Sequence, residues 1–405
     1  MKLIAPDNYI GDTVEVPTSK SIANRLLIIQ ALAQSGDVLG LSEAKDTQIL
    51  KQVLQSLPSV IDVGHAGTSF RFLTAFLAIQ NGVFTLTGSD RMKERPIGIL
   101  VNALRELGAD ITYLEKEGFP PLQISGTQLS STGIIVNANI SSQYITALML
   151  IGPYLPSGLE ITLKGELVSL PYLKMTANLM RSCGVEVSID GNQITIPSGK
   201  YQFTSLAIEK DWSAIAFWYE WVAINKTEHL LIKDVKSESI QGDREVAYIF
   251  EELGVQSYFD TDGLHLSFHP VQKKKQVLVF DLNDTPDLAQ PLIVTLAAQQ
   301  QKAEIKGLST LKNKETDRGL ALKQELSKFG VEMEVHDDRI TIAGNQELIK
   351  PSEAIKSYED HRMAMAFAPL VAMVKELDIE NPKVVEKSYP SYWEVFSRLG
   401  LDIEK

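Results

Sequence analysis

The stretch Leu326-Ser327-Lys328-Phe329-Gly330-Val331-Glu332-Met333-Glu334-Val335 decides the fold. Leu322, Leu326 and Phe329 stand four and three residues apart, the period of a helix face. Gly330 follows as a C-terminal glycine does, and Val331, Met333 and Val335 then alternate with the period of a strand. Reading outward, the residues ahead of this helix are Lys314-Glu315-Thr316-Asp317-Arg318, four of them charged. A helix N-terminus offers unbonded N–H groups and a partial positive charge. Lys314 and Arg318 placed there make an anion site, and Glu315 between them is a candidate acid or base. A charged first turn is also an ordinary solvated cap, and this motif alone does not separate the two.

The helix–glycine–strand pattern recurs. It appears at Leu104–Ile111, Leu179–Val187, Phe250–Val255, Leu326–Val331 and Phe396–Ile403, with glycines at 108, 184, 254, 330 and 400. The steps are therefore 76, 70, 76 and 70 residues, a repeat signature. A sixth, degenerate copy is expected at Leu50–Val63, where Leu57-Pro58-Ser59 replaces the glycine. Between these lie apolar, small-residue-rich segments: Ala23–Ala33, Ser69–Ile79, Thr146–Leu155, Ala214–Ala223, Leu288–Ala298 and Met363–Val374. They are expected to be helices buried nearly all round. Strand-like runs such as Gly82–Leu86 and Gly158–Leu163 follow them, so the expected unit is β-α-β-α-β-β, six times over, in an α/β protein. No low-complexity linker interrupts the series, and three units per lobe is the natural division.

Composition narrows the function. At 405 residues the chain exceeds one ordinary core, and 44% apolar with 22% charged residues is globular. A net charge of −12 disfavours a nucleic-acid partner, while local cations still admit a small anionic substrate. The single cysteine, Cys183, allows neither an internal disulfide nor a cysteine metal cluster. Met1–Pro6 has no signal-like apolar run and no stretch approaches a membrane span, so a cytoplasmic location and no membrane partner are expected. No Gly-x-Gly-x-x-Gly follows a strand, which argues against a dinucleotide cofactor.

The residues before the helices carry the chemistry. Lys20, Arg25, Arg91, Arg95, Lys314, Arg318, Arg362 and Lys387 are expected at helix starts, where cations oppose the dipole. Eight such residues at equivalent points of repeated units indicate one convergent anion-binding cleft. Gln241–Arg244 and Asp211 read as ordinary caps, and Pro96 as a first-turn proline.

Seven motifs stand in order: Ser19-Lys20-Ser21 with Asn24-Arg25; Ala66-Gly67-Thr68; Arg91–Pro96; Ser141-Ser142-Gln143; Pro286-Asp287; Lys314–Arg318; and Asp360–Met365. Together they resemble the 5-enolpyruvylshikimate-3-phosphate synthase family of enolpyruvyl transferases, over about Pro17 to Pro390. The resemblance implies a two-lobed, inside-out α/β barrel fold with three units per lobe. Residues 1–17 with 210–405 would form one lobe, carrying the phosphoenolpyruvate-side cations and acid–base residues. Residues 18–209 would form the other, on the shikimate-3-phosphate side. The implied reaction joins phosphoenolpyruvate to the 5-hydroxyl of shikimate-3-phosphate and releases phosphate, without metal or cofactor, in a monomer. The same resemblance implies Asp287, Glu315, Lys20 and His361 as catalytic residues. Lys20, Gly67, Arg91, Gln143, Arg318, Arg362 and Lys387 would hold phosphoenolpyruvate. Lys20, Ser21, Arg25, Ser141, Ser142, Gln143, Ser169, Tyr172, Asp287, Thr310 and Lys314 would hold shikimate-3-phosphate. His65, Thr310 and Leu170 depart from the common pattern, where an asparagine, in some members an asparagine, and a cation stand. The alternatives are the related transferase acting on UDP-N-acetylglucosamine, which typically uses a loop cysteine after proline, and a non-catalytic anion-binding protein on the same scaffold.

Overall fold

A computed structural model describes residues 1–405 except 8, 10, 131–132, 138–140, 166, 272–275 and 405. The chain forms two compact units, Thr18–Ile208 and Met1–Pro17 with Glu209–Lys405.

One sheet pattern is repeated four times. In Thr18–Ile208, Val60–Asp62 runs parallel to Val83–Thr87, which is antiparallel to Leu122–Ser125, itself antiparallel to Asp110–Tyr113. Gly133–Asn137, Leu159–Lys164, Gln193–Ile196 and Ser188–Asp190 repeat that order and polarity. The larger unit has two more copies. One is Thr13–Val14, Leu230–Lys233, Gly263–Phe268 and Val255–Phe259; the other is Leu278–Asp281, Ala303–Lys306, Arg339–Ile342 and Met333–Val335.

The two remaining sheets depart from this order. Ser205–Ala207 pairs parallel with Asp37–Leu39 in a sheet of only two strands among the described residues. Lys2–Ile4 sits between Glu376–Asp378 and Asp402–Glu404, antiparallel to both. A parallel bridge from Ile355 to Ile379 supplies what remains of that unit's first strand. The six expected units are thus four full copies and two built partly from distant segments.

Each unit is apolar helices wrapped by sheets. Along Leu159–Lys164 buried and exposed residues alternate strictly, so one sheet face is covered and the other meets solvent. Helices Lys20–Ala33, Gly67–Ala78 and Ser142–Ile151 pack on one another in the smaller unit. Trp212–Asn225, Ala289–Ala298 and His361–Phe367 do so in the larger one. Nearly every residue of these six helices is buried, as their small and apolar composition requires. No described sheet closes into a barrel on itself.

The glycine turns take the conformation that only glycine adopts cheaply: Gly108, Gly184, Gly254, Gly330 and Gly400 have φ between 80° and 99°. Leu57 makes the corresponding turn at φ 39°. Two expected helices are broken. Ser142–Ile151 gives way to a 3₁₀ turn, Gly152–Tyr154. Past His361–Phe367, Pro369 has no N–H to continue the ladder, and a 3₁₀ turn leads to the short helix Val371–Val374. Pro96 is not in a first turn; the helix that follows it begins at Gly98.

Candidate active site

Asp317 caps the helix Arg318–Ser327 by accepting from the Leu320 N–H at 3.1 Å. The first helical residue is therefore Arg318, and Lys314 and Glu315 lie in the approach. Arg318 is 2% exposed, and its guanidinium is the hub of a charged network. It donates from Nε to Asp360 Oδ2 at 2.7 Å, from Nη1 to Asp287 Oδ1 at 2.9 Å and from Nη2 to Glu315 Oε2 at 3.1 Å. Asp360 caps its own helix through the Arg362 N–H at 3.0 Å, so one buried carboxylate fixes both a helix start and the hub.

Around this hub stand three more cations. Arg362 donates to Asp287 Oδ2 and to the Asp287 carbonyl, both at 3.0 Å. Lys314 Nζ lies 3.4 Å from Asp287 Oδ1, and Lys387 Nζ lies 2.8 Å from Glu315 Oε1. Among the described contacts, four cations thus face three carboxylates, a balance that suits an anionic ligand. Burial works to raise the Asp287 carboxyl, but Arg362, Lys314 and Arg318 outweigh it and hold it well below its ordinary range. Burial lowers Lys314, with Asp287 opposing. Arg318 is pushed up: burial disfavours its charge, but Asp360, Glu315 and Asp287 more than reverse this. His361 is buried beside the hub, its Nδ1 3.7 Å from Asp360 Oδ1.

Thr310 lies in the 3₁₀ segment Ser309–Asn313, its hydroxyl buried with no hydrogen-bond partner among the described residues. Lys387 is not at a helix start as expected. It ends the 3₁₀ segment Pro382–Lys387, and the next helix begins at Tyr392.

The smaller unit gathers its own set. Ser19 caps Lys20–Ala33 through the Ile22 N–H at 3.4 Å, which places Lys20 and Ser21 in the first turn. Lys20 Nζ is 3.3 Å from Asp46 Oδ2. Arg25, one turn on, donates to Thr176 Oγ1 at 2.8 Å, the Ser21 carbonyl at 2.7 Å and Thr146 Oγ1 at 3.4 Å. Its partners are neutral, and burial lowers its pKa to about 10 against the opposing pull of Tyr172.

Ser141 caps the helix carrying Ser142 and Gln143, and Gln143 Nε2 reaches Thr68 Oγ1 at 3.1 Å. Ser169 precedes Leu170–Ser182 at φ 57°, a left-handed conformation costly for serine, with Tyr172 following in the first turn. Gly67 opens its helix against two guanidinium groups: a Cβ there would stand 2.5 Å from Arg95 Nη1 and 2.8 Å from Arg71 Nη1. Arg91 lies in the single turn Asp90–Lys93 and pairs with Glu94 at 2.9 Å. His65 is exposed, its Nδ1 3.0 Å from Ser89 Oγ.

Comparison with known proteins shows the family. The family profile for EPSP synthase (3-phosphoshikimate 1-carboxyvinyltransferase) matches residues 41–396. The chain belongs to the EPSP synthase family. It is 42% identical over 405 residues to the 3-phosphoshikimate 1-carboxyvinyltransferase of Bacteroides fragilis (strain YCH46), covering 99% of this chain and 98% of that one. Identity to the Photobacterium damsela subsp. piscicida protein of the same name is 35% over 427 residues, covering 98% and 99%. In fold it resembles EPSP synthase from Acinetobacter baumannii, with a TM-score of 0.74 at 21% identity over 100% of this chain and 99% of the other.

Within this EPSP synthase family chain, sequence reasoning missed the supporting partners. Asp360 was visible only as part of a motif, although it touches Arg318 across 42 residues of chain. Asp46, the partner of Lys20, carries no local signal at all. Arg71 was visible only as a residue after Gly67, yet it donates back to the Gly67 carbonyl at 2.7 Å and lies over the Tyr144 ring. Among the described residues, no helix is long and apolar enough to cross a membrane.

Proposed function

We infer that this chain transfers the enolpyruvyl group of phosphoenolpyruvate to the 5-hydroxyl of shikimate-3-phosphate and releases inorganic phosphate. The observation that carries the reading is the placing of Asp287 and Glu315 on one guanidinium, ringed by Lys314, Arg362 and Lys387. Two carboxylates held apart by a shared cation, in a cluster rich in cations, suit an addition–elimination on an anionic enol.

In the addition, the hydroxyl oxygen bonds to C2 of phosphoenolpyruvate as its proton passes to Asp287, which is ionised and so able to accept it. Glu315, ionised in the empty site, takes up a proton as phosphoenolpyruvate binds and gives it to C3, completing a tetrahedral adduct. In the elimination the C2–O bond to phosphate breaks, C3 returns its proton to Glu315, and the departing phosphate takes the proton from Asp287. Both carboxyls are regenerated and no electrons change hands, so the reaction balances without a redox partner. Arg318, Arg362 and Lys387 neutralise the phosphate and carboxylate of phosphoenolpyruvate, joined by Lys20, Arg91, Gln143 and the Gly67 backbone. Ser21, Arg25, Ser141, Ser142, Ser169, Tyr172, Thr310 and Lys314 hold shikimate-3-phosphate, and His361, beside Asp360, assists the acid–base pair.

The alternative transferase reading draws no support from Cys183. It is buried at the end of the helix Leu170–Ser182, and burial pushes its thiol up to about 11, which disfavours a reactive thiolate. The test is phosphate release: it is expected only with both substrates together. Release from phosphoenolpyruvate alone would mark a phosphatase, and substrate binding without release a non-catalytic anion binder.

A further inference from the structure

Two imidazoles meet on the outer face of the sheet formed by Thr13–Val14, Leu230–Lys233, Gly263–Phe268 and Val255–Phe259. Strand alternation sends Leu230, Ile232, Leu264 and Leu266 into the core, all fully buried, and leaves His229 and His265 on the opposite face. His265 is paired with Leu231, so His229, just ahead of its strand, lies on the diagonal. The result is a nitrogen-to-nitrogen approach: His229 Nε2 stands 3.0 Å from His265 Nδ1, with ring centroids 5.3 Å apart and planes inclined by 36°.

Behind His265 a carboxylate is fixed in place. Asp260 Oδ2 lies 2.9 Å from His265 Nε2. Its other oxygen is locked by the hairpin turn, accepting the Asp262 N–H at 2.8 Å and the Gly263 N–H at 3.3 Å. The contact is a close ion-pair distance rather than an aligned hydrogen bond, and a carboxylate oxygen on that side favours the tautomer with the proton on Nε2. The lone pair of His265 is then on Nδ1, the atom that faces His229. A carboxylate behind a histidine whose other nitrogen is unprotonated is the arrangement that orients imidazole ligands on metals.

We propose that His229 Nε2 and His265 Nδ1 form a two-imidazole surface site for a divalent transition-metal ion of the zinc class, with Asp260 as the positioning carboxylate. Nitrogen–metal bonds of about 2.0–2.1 Å place two ligands on one ion roughly 2.9–3.4 Å apart for angles between square and tetrahedral. The observed separation, which in the metal-free chain is that of an N–H···N hydrogen bond, falls in that range. His229 takes the tautomer with its proton on Nδ1, and the two rings rotate to aim both lone pairs at one point. Among the described residues no three His, Cys, Asp or Glu side chains converge on an ion, so water fills the remaining positions. The site is accordingly weaker than a four-ligand structural zinc site. Imidazole suits zinc, copper and nickel, whereas magnesium and calcium require oxygen ligands. His269, further along the same stretch, holds its Nε2 on Ser267 Oγ at 3.1 Å and stands outside the pair.

The test is calorimetric titration of the tag-free full-length chain with zinc ion at neutral pH, with thermal unfolding alongside. One saturable equivalent that raises the melting temperature is expected. His229→Ala and His265→Ala should each weaken uptake by at least ~10-fold, and Asp260→Asn by ~10–100-fold. His269→Ala should bind as the parent does, and magnesium should not compete. All these positions are on the sheet's solvent side or in its hairpin turn, so the variants are expected to fold. Absence of saturable zinc uptake by the parent chain would overturn the site, as would uptake that survives the double variant of His229 and His265. Parent-like affinity in Asp260→Asn would overturn the role given to the carboxylate.

Discussion

Arg25 and Arg318 are both 2% exposed, yet their surroundings treat the charge in opposite ways. Arg25 meets two threonine hydroxyls and a backbone carbonyl, and burial pushes it down to about 10. Arg318 meets Asp360, Glu315 and Asp287, and their combined pull more than offsets the same burial. A buried cation with only neutral partners is kept at a cost that an anionic ligand can return. A buried cation among three carboxylates is already compensated, and its work is to hold those carboxylates where proton transfer needs them. Arg25 therefore stores affinity, while Arg318 adds geometry to the charge it offers phosphoenolpyruvate.

The contrast can be broken most severely at Arg318. Arg318→Met leaves the buried Asp360 and the part-buried Asp287 and Glu315 crowded together, and unfolding measurements should show a loss of roughly 3–5 kcal/mol, as when one partner of a buried pair is removed. A loss below about 1 kcal/mol would mean that the network is not the hub described. Arg25→Met should behave differently. It removes an uncompensated charge but keeps bulk, so stability should change by no more than ~1 kcal/mol. Affinity for shikimate-3-phosphate should fall by about 10–100-fold, the scale of charged hydrogen bonds, as read by isothermal titration. A destabilisation as large as that of Arg318→Met would erase the distinction.

Acid should separate the units by another route. Asp287 is depressed in the folded chain, so its stabilising contribution is present above the unfolded value of about 3.9. That contribution is lost as pH falls through the lower folded value. The melting temperature should drop steeply below about pH 4, and Asp287→Asn should flatten that limb. An identical acid limb in the variant would contradict the assignment. The smallest effect is expected at Cys183. With its thiol pushed up to about 11, a thiol-reactive disulfide reagent should leave the native chain unmodified and its activity intact, reacting only after unfolding.

What was legible in the sequence was local. A helix, a left-handed glycine and an alternating strand occupy about a dozen consecutive residues, so Gly108 through Gly400 announced the repeat before any contact was known. Buried helices were legible because small apolar residues run around their whole circumference. Sheet completion was not: Lys2–Ile4 pairs with strands at the far end of the chain, and no period in residues 2–4 points there. Pro369 broke a helix whose apolar pattern ran on without interruption.

The candidate site divides in the same way. The four cations stood out because positive charge at a helix start opposes the dipole, Glu315 because it stands between two of them, and Asp287 through the resemblance of its motif. Asp360 and Asp46 did not, because a buried acidic residue beside a helix start reads as an ordinary cap or surface charge until its long-range partner is seen. Lys387 drew attention for its charge, but its place at the end of a 3₁₀ segment was not readable from the residues around it.

The central claim is that Glu315 delivers the proton to the methylene of phosphoenolpyruvate. Glu315→Gln keeps the shape and the acceptor toward Arg318 but cannot give that proton, so kcat should fall by about 100-fold or more with substrate binding little changed. The most direct measurement is exchange of solvent deuterium into that methylene during turnover. The account predicts rapid exchange in the parent chain and its suppression in Glu315→Gln. Exchange in that variant at the parent rate would contradict it, leaving Glu315 as nothing more than a charge at the approach to a helix.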